Sequence, residues 1–404
     1  MRGNMFQKVF LQIKEKISLP MLVLIAAGLL NFYYVLRYSV NMPHRAEWDY
    51  LFVFPPEGSV FHAGRTARPV LANAAAGVFY LLNGWNITFH LIFNYFVYVA
   101  DIVLLYRLIV KAAGEYRFLP LFFLPLFSDL NALNLTQTTA LQFHFSVLFG
   151  LIAADIGFFR PPTYHNSLKF IFFAALSVLS MNPVFMLGIL IGWIVMEARR
   201  KNFARILGVF FFMMVIFQVC GGGLSVFAGK QILRPAVILF SAVLTGLDMV
   251  TPLHIILIFP VVAALGYAFY QRRLWEDCGA LLLFSIIFAA FLSALNGEQN
   301  EDPFVFIHSG AGIVLFAVPV VFTLLRLVKP VFIYLCCLGV IGYSAAFSPA
   351  YFKAEAAARR QTLECALKYY DGAGDGVCPN VDKYRSASFL DVSGQLGLSF
   401  TRRK

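Results

Sequence analysis

The chain is 404 residues long, 60% hydrophobic and only 13% charged, with a formal net charge of +11 and a mean hydropathy of +0.75. That composition excludes an ordinary soluble domain and points to a polytopic membrane protein. The basic residues are spread over loop ends with no aromatic-interleaved basic module, which argues against nucleic acid and assigns the surplus to topology and membrane lipids.

Residues 2–18 carry Lys8, Lys14 and Lys16 and are too long and mixed for a cleaved signal peptide. The uncharged run 19–36 is followed by no small-residue cleavage site, so it reads as a retained first span. A polar first loop over 38–87 comes next, with the apolar stretch 69–82 inside it. Further spans are expected at 88–110, 118–127, 140–159, 170–179, 184–196, 203–220, 253–270, 280–295, 311–328 and 331–347. The fold class is therefore all-α, a bundle of about eleven membrane helices. Counting 69–82 or 236–247 as a crossing would invert every later loop, so both read as helices lying at the outer interface.

Lysine and arginine fix the orientation, because short cytoplasmic loops hold the excess. The N-terminus shares its side with Lys111 and Arg117, Arg160 and Lys169, Arg199 to Lys201, Arg272 and Arg273, and Arg326 and Lys329. The first loop, the segment around Asp129, residues 221–234 and 296–308, and the tail then face outside, as in a bacterial inner membrane. The organisation is a membrane domain, 1–349, plus a small extracytoplasmic appendage, 350–404. The appendage reads as one helix over about 353–370, a turn and a short irregular run. Its Arg359, Arg360, Arg402, Arg403 and Lys404 are expected to face anionic headgroups. Cys365 and Cys378 flank its DGAGDG turn and are expected to form a disulfide in an oxidising compartment.

The chemistry-bearing residues collect on the outer side. In the first loop Glu47 and Asp49 bracket Trp48, with His44 and Arg45 before them and His62, Arg65 and Arg68 after. Either carboxylate can deprotonate an acceptor hydroxyl, while arginines can stabilise a departing phosphate. Salt bridges that merely fold the loop are the competing reading, and Trp48 fits an aromatic belt as well as a sugar-stacking platform. A second cluster holds Asp129, Asn131, Asn134, Gln137 and Gln142, whose amides suit sugar hydroxyls or helix caps. A third holds Glu298, Glu301, Asp302 and His308 and reads as an acceptor or metal site or as a solvated acidic loop. Lys230 and Arg234 follow three glycines and could receive a lipid phosphate or contact headgroups. The histidines show no paired metal-ligand spacing, so a divalent metal has no support here. Inside the bilayer Asp101 is the costliest residue to bury and carries a functional expectation by default.

A short cytoplasmic N-terminus, one span, an outer loop with the acidic motif EWDY, an interfacial helix after FHAGRTARPVLA and then many spans resemble the GT-C glycosyltransferases. The Gln-bearing NLTQTTALQFHF and the closing FLDVSGQLGLSF add to that likeness, which is nearest to bacterial surface-polysaccharide and O-antigen-modifying glucosyltransferase-like proteins. The resemblance implies an inverting transfer from a polyprenyl-phosphate sugar, as donor substrate, to an extracytoplasmic glycan or lipid acceptor; the residues themselves name no cofactor. It maps the catalytic acid onto Asp49, with Glu47 second, and makes Arg65, Arg68, Lys230 and Arg234 the leaving-group candidates. The chain has E-W-D where the commoner pattern is a paired DD or DE. The rival expectations are a polysaccharide polymerase or ligase using polyprenyl-linked glycans, and a lipid or sugar transporter, for which Asp101 is the best residue.

Overall fold

The computed structural model describes residues 19–44, 47–48, 70–113, 119–127, 135–180, 184–219, 278–279, 281–282, 284–286, 330–374, 376–379, 381, 386–399 and 401. Among them every regular element is helical. Leu19–Tyr38, Ile87–Ala112 and Thr138–Phe159 are long and apolar enough to cross a membrane. The protein is thus an all-helical membrane protein. Large apolar side chains such as Leu19, Leu29, Phe96, Phe172 and Phe211 are exposed on its surface, an arrangement that suits hydrocarbon and not water.

Helix α1, Leu19–Tyr38, and α3, Ile87–Ala113, frame the first loop, and α2, Val70–Asn83, lies between them in sequence. Helix α4, Leu141–Phe159, pairs extensively with α5, Tyr164–Ser180. Small residues permit that approach: Ser177 Oγ donates to Ser146 O at 2.7 Å. A Cβ at Gly150 would sit 2.6 Å from the Phe185 ring, and one at Gly157 2.9 Å from Phe170 and Trp193. Helices α6, Val184–Arg199, and α7, Phe203–Val219, complete this layer.

The stretch expected to span at 118–127 is a nine-residue 3₁₀ helix, Leu119–Phe127. At 2.0 Å per residue it covers only about 18 Å, too short for a crossing. Pro125 removes a backbone donor that an α-helix over this stretch would need, whereas Pro120 falls in the first turn, where none is required. It packs against α1 and α8, and Asn31 Nδ2 donates to Phe127 O at 3.2 Å.

Helix α8, Pro330–Tyr370, is 41 residues long and continuous through Pro349. The span expected at 331–347 and the tail helix expected at 353–370 are therefore one element. The alanine-rich run after Pro349 has the propensity to carry the helix past the single bond that proline removes. The run after the turn is also more ordered than expected, since Ser386–Gln395 forms a helix, α9.

The two ends of the bundle differ chemically. At the Ala113 end of α3, Lys111 pairs with Asp155, and buried Glu197 binds Arg200 at 3.0 Å and Arg205 at 2.8 Å. At the opposite end the first loop meets the tail. Asn41 Oδ1 accepts the Ile87 N–H at 2.8 Å, and the Ser399 N–H donates to Gly84 O at 2.7 Å. Trp85 takes a left-handed φ of 54° there, held by full burial and by Ser399 Oγ on its carbonyl at 3.2 Å.

Candidate functional site

Glu47 is fully buried where the first loop, the start of α4 and the tail helix meet. Its Oε2 accepts the His44 N–H at 2.8 Å and Arg359 Nη1 at 2.7 Å. Its Oε1 accepts Arg359 Nη2 at 3.0 Å and the Thr138 N–H. Arg359 also donates from Nη1 and Nη2 to the carbonyls of Met42 and Thr136, and its Nε lies 3.6 Å from Glu355 Oε1. Burial alone would raise the Glu47 carboxyl, but the Arg359 charge and hydrogen bonds, with the two backbone N–H groups, hold it below the ordinary value of 4.5. Burial likewise opposes charge on Arg359, and Glu47 with Glu355 overcomes it, so its pKa is raised.

A carboxylate offers about four lone-pair directions, and Glu47 uses all of them. A general base needs a free lone pair, and all four directions of Glu47 are occupied. It is a structural carboxylate that ties the first loop to the tail.

Arg359 is the residue the sequence reading missed. Expected at anionic headgroups, it is 1% exposed and paired with Glu47, while its neighbour Arg360 stays exposed. The sequence signal was available in principle: Arg359 falls on the helix face that also carries Phe352, Glu355, Ala356 and Thr362, all buried.

Trp48 is neither an interfacial belt residue nor an open stacking platform. It is 2% exposed, with its ring stacked on Phe389 of α9 at 5.7 Å and 8°. His44 is buried, with Nε2 3.6 Å from Glu355 Oε1. Gln137 is buried at the entry to the 3₁₀ turn Thr138–Ala140, where its carbonyl accepts Asn94 Nδ2 at 3.3 Å and its side chain makes no cap bond. Gln142 is half-buried at the second position of α4. Cys365 and Cys378 form a disulfide, with Thr362 Oγ1 donating to Pro379 O at 2.8 Å beside it. The contacts that fasten the tail to the first loop include Arg359 on Glu47, Phe389 on Trp48, and Ser399 on both Asn41 and Trp85.

Asp49, His62, Arg65, Arg68, Asp129, Lys230, Arg234, Glu298 and His308 lie outside the described residues, as do the segments 236–247, 253–270 and 311–328. Among the described residues no group of three or more His, Cys, Asp or Glu is arranged to hold a metal ion.

A second polar constellation lies between helices. Asp101, midway along α3, places Oδ2 3.3 Å from Nδ1 of His144 on α4. Both residues line a cavity with Tyr98, Leu105, Phe185 and Ile286.

Compared with protein-family models, curated proteins and solved structures, the chain matches none of them.

Proposed function

We propose that the chain is a membrane glycosyltransferase of the GT-C type, moving a sugar from a polyprenyl-phosphate donor to an extracytoplasmic glycan or lipid acceptor with inversion. The observation that carries this reading is the saturation of Glu47. With one acid of EWDY committed to Arg359, the loop is fixed immediately before Asp49, and the tail becomes part of the loop's support. A loop braced from two sides suits a reaction site better than a mobile connector.

In this reading Asp49 takes the proton of an acceptor hydroxyl. The oxygen attacks the anomeric carbon, the bond from that carbon to the phosphate oxygen breaks, and polyprenyl phosphate departs with its negative charge. Arg65, Arg68, Lys230 and Arg234 are the candidates to receive that phosphate. The test is incubation of the purified protein with a panel of polyprenyl-phosphate sugars and detection of released lipid phosphate. Release from one donor supports the assignment; no release from any donor, with or without acceptor glycans, removes it.

A transporter of lipid-linked sugar is the second reading, favoured by the acid and imidazole buried between α3 and α4. Vesicle uptake or flipping of a labelled lipid-linked sugar without chemical change would select it.

A further inference from the structure

A buried carboxylate within a membrane helix needs a counter-charge, a proton or a dense set of donors. Asp101 is 6% exposed, its Oδ2 lies 3.3 Å from Nδ1 of His144, and neither of its oxygens meets hydrogen-bond geometry with a protein donor among the described residues. His144 is itself 1% exposed. Among the described residues no lysine or arginine lines the cavity they share. Tyr98 is the other titratable group among those residues, and its hydroxyl is committed to the Leu126 carbonyl, with its ring 5.1 Å from that of His144. The elements packed around the pair present Leu126, Phe185 and Ile286, all uncharged. The nearest ion pair along α3, Lys111 with Asp155, is ten residues away, about 15 Å along the helix.

Two arrangements keep such a pair neutral. In one, a protonated carboxyl donates from Oδ2 to Nδ1; in the other, an imidazolium donates from Nδ1 to the carboxylate. They differ only in the position of one proton, and each carries one proton more than an ionised acid beside a neutral imidazole. That third state leaves an uncompensated charge in a low-dielectric site and is the costly one. The adjoining cavity offers about 30 Å³ to the centres of water molecules, room for roughly one water as a proton carrier.

We infer that Asp101 and His144 form an intramembrane proton-binding site that holds one exchangeable proton between the carboxyl oxygen and Nδ1. The site does not depend on the transferase reading of the first loop, and it deepens the transporter reading, which rests on the same pair. A purely structural hydrogen bond between α3 and α4 would hold a proton that does not exchange; a binding site must load and unload it.

The test uses the full chain in lipid bilayers at neutral pH, with labelled aspartate carboxyl carbon and labelled histidine nitrogens, read by solid-state NMR. The expected result is a protonated Asp101 carboxyl or a doubly protonated His144 ring, joined by a cross-peak between the two side chains, whose proton is replaced on transfer to D2O. Asp101→Asn and His144→Gln should each remove that signal. Should either variant fail to insert, the wild-type cross-peak makes the assignment without it. An ionised Asp101 beside a neutral His144 overturns the proposal, and so does a shared proton that survives prolonged D2O exposure.

Discussion

Arg359 closes on Glu47 with two hydrogen bonds, at 2.7 and 3.0 Å, across 312 positions of sequence. The pair is buried on both sides, and its geometry satisfies the guanidinium on Met42 and Thr136 as well. Removing one partner from such a pair strands the other, which is where its energetic weight lies.

Arg359→Ala should therefore cost about 3–5 kcal/mol, because an ionised Glu47 would be left without its cation. Thermal unfolding of the purified protein, followed by helical signal in a mild detergent, measures the loss. Arg359→Ala combined with Glu47→Gln should recover part of it, since the stranded charge is then gone. A single variant as stable as wild type would show the pair to be dispensable.

The same pair gives the fold an acid limit. Glu47 has a folded pKa below its ordinary 4.5, so its contribution is complete above that value and is lost as pH falls through the lower folded value. Arg359, whose pKa is raised, stays charged throughout the acid and neutral range and adds nothing to the acid limb. Melting temperature measured against pH should fall more steeply below about 4.5 for wild type than for Glu47→Gln. Parallel curves for the two proteins would remove Glu47 from the acid response.

Phe389 covers Trp48 with its ring. Phe389→Ala should destabilise the tail contact by about 3–5 kcal/mol, as for other buried aromatic truncations. It should also shift Trp48 emission to longer wavelength as water reaches the indole. A protein reduced to that one of its four tryptophans reports the shift cleanly. Unchanged emission would mean that α9 does not cover the indole.

Cys365 and Cys378 close a loop with a sequence separation of 13. Chain-entropy arguments give a bridge over a loop of that size about 3 kcal/mol. Reduction, or replacement of both cysteines by serine, should speed amide hydrogen exchange in the C-terminal part of α8 and in α9. Exchange in α4 and α5, which lie apart from the bridge, should not change. Acceleration spread evenly over the chain would contradict a local staple.

The membrane helices and the disulfide were the legible part of this sequence. Long apolar runs near 19–36, 88–110 and 140–159 announce α1, α3 and α4 because length and apolarity decide a membrane helix even where a lone charge such as Asp101 interrupts. Residues 118–127 are just as apolar, yet hydropathy is blind to the prolines that tighten them into a short 3₁₀ helix. Pro349 misled in the other direction, by marking a boundary within a helix that runs on. The clamp on the first loop was the least visible feature. Nothing local to EWDY names a partner 312 residues away, and a basic residue in a tail reads as a headgroup contact until burial is known. Burial also resolves Trp48, which an aromatic belt and a packed core would use alike.

The most direct test of the transferase account is sugar transfer by Asp49→Asn in lipid vesicles, beside wild type, with a labelled polyprenyl-phosphate donor. The account predicts that the variant inserts and melts like wild type while its transfer rate falls by at least about 10²-fold, the range expected for loss of a general base. Transfer by the variant at the wild-type rate would contradict the assignment of Asp49 as the base.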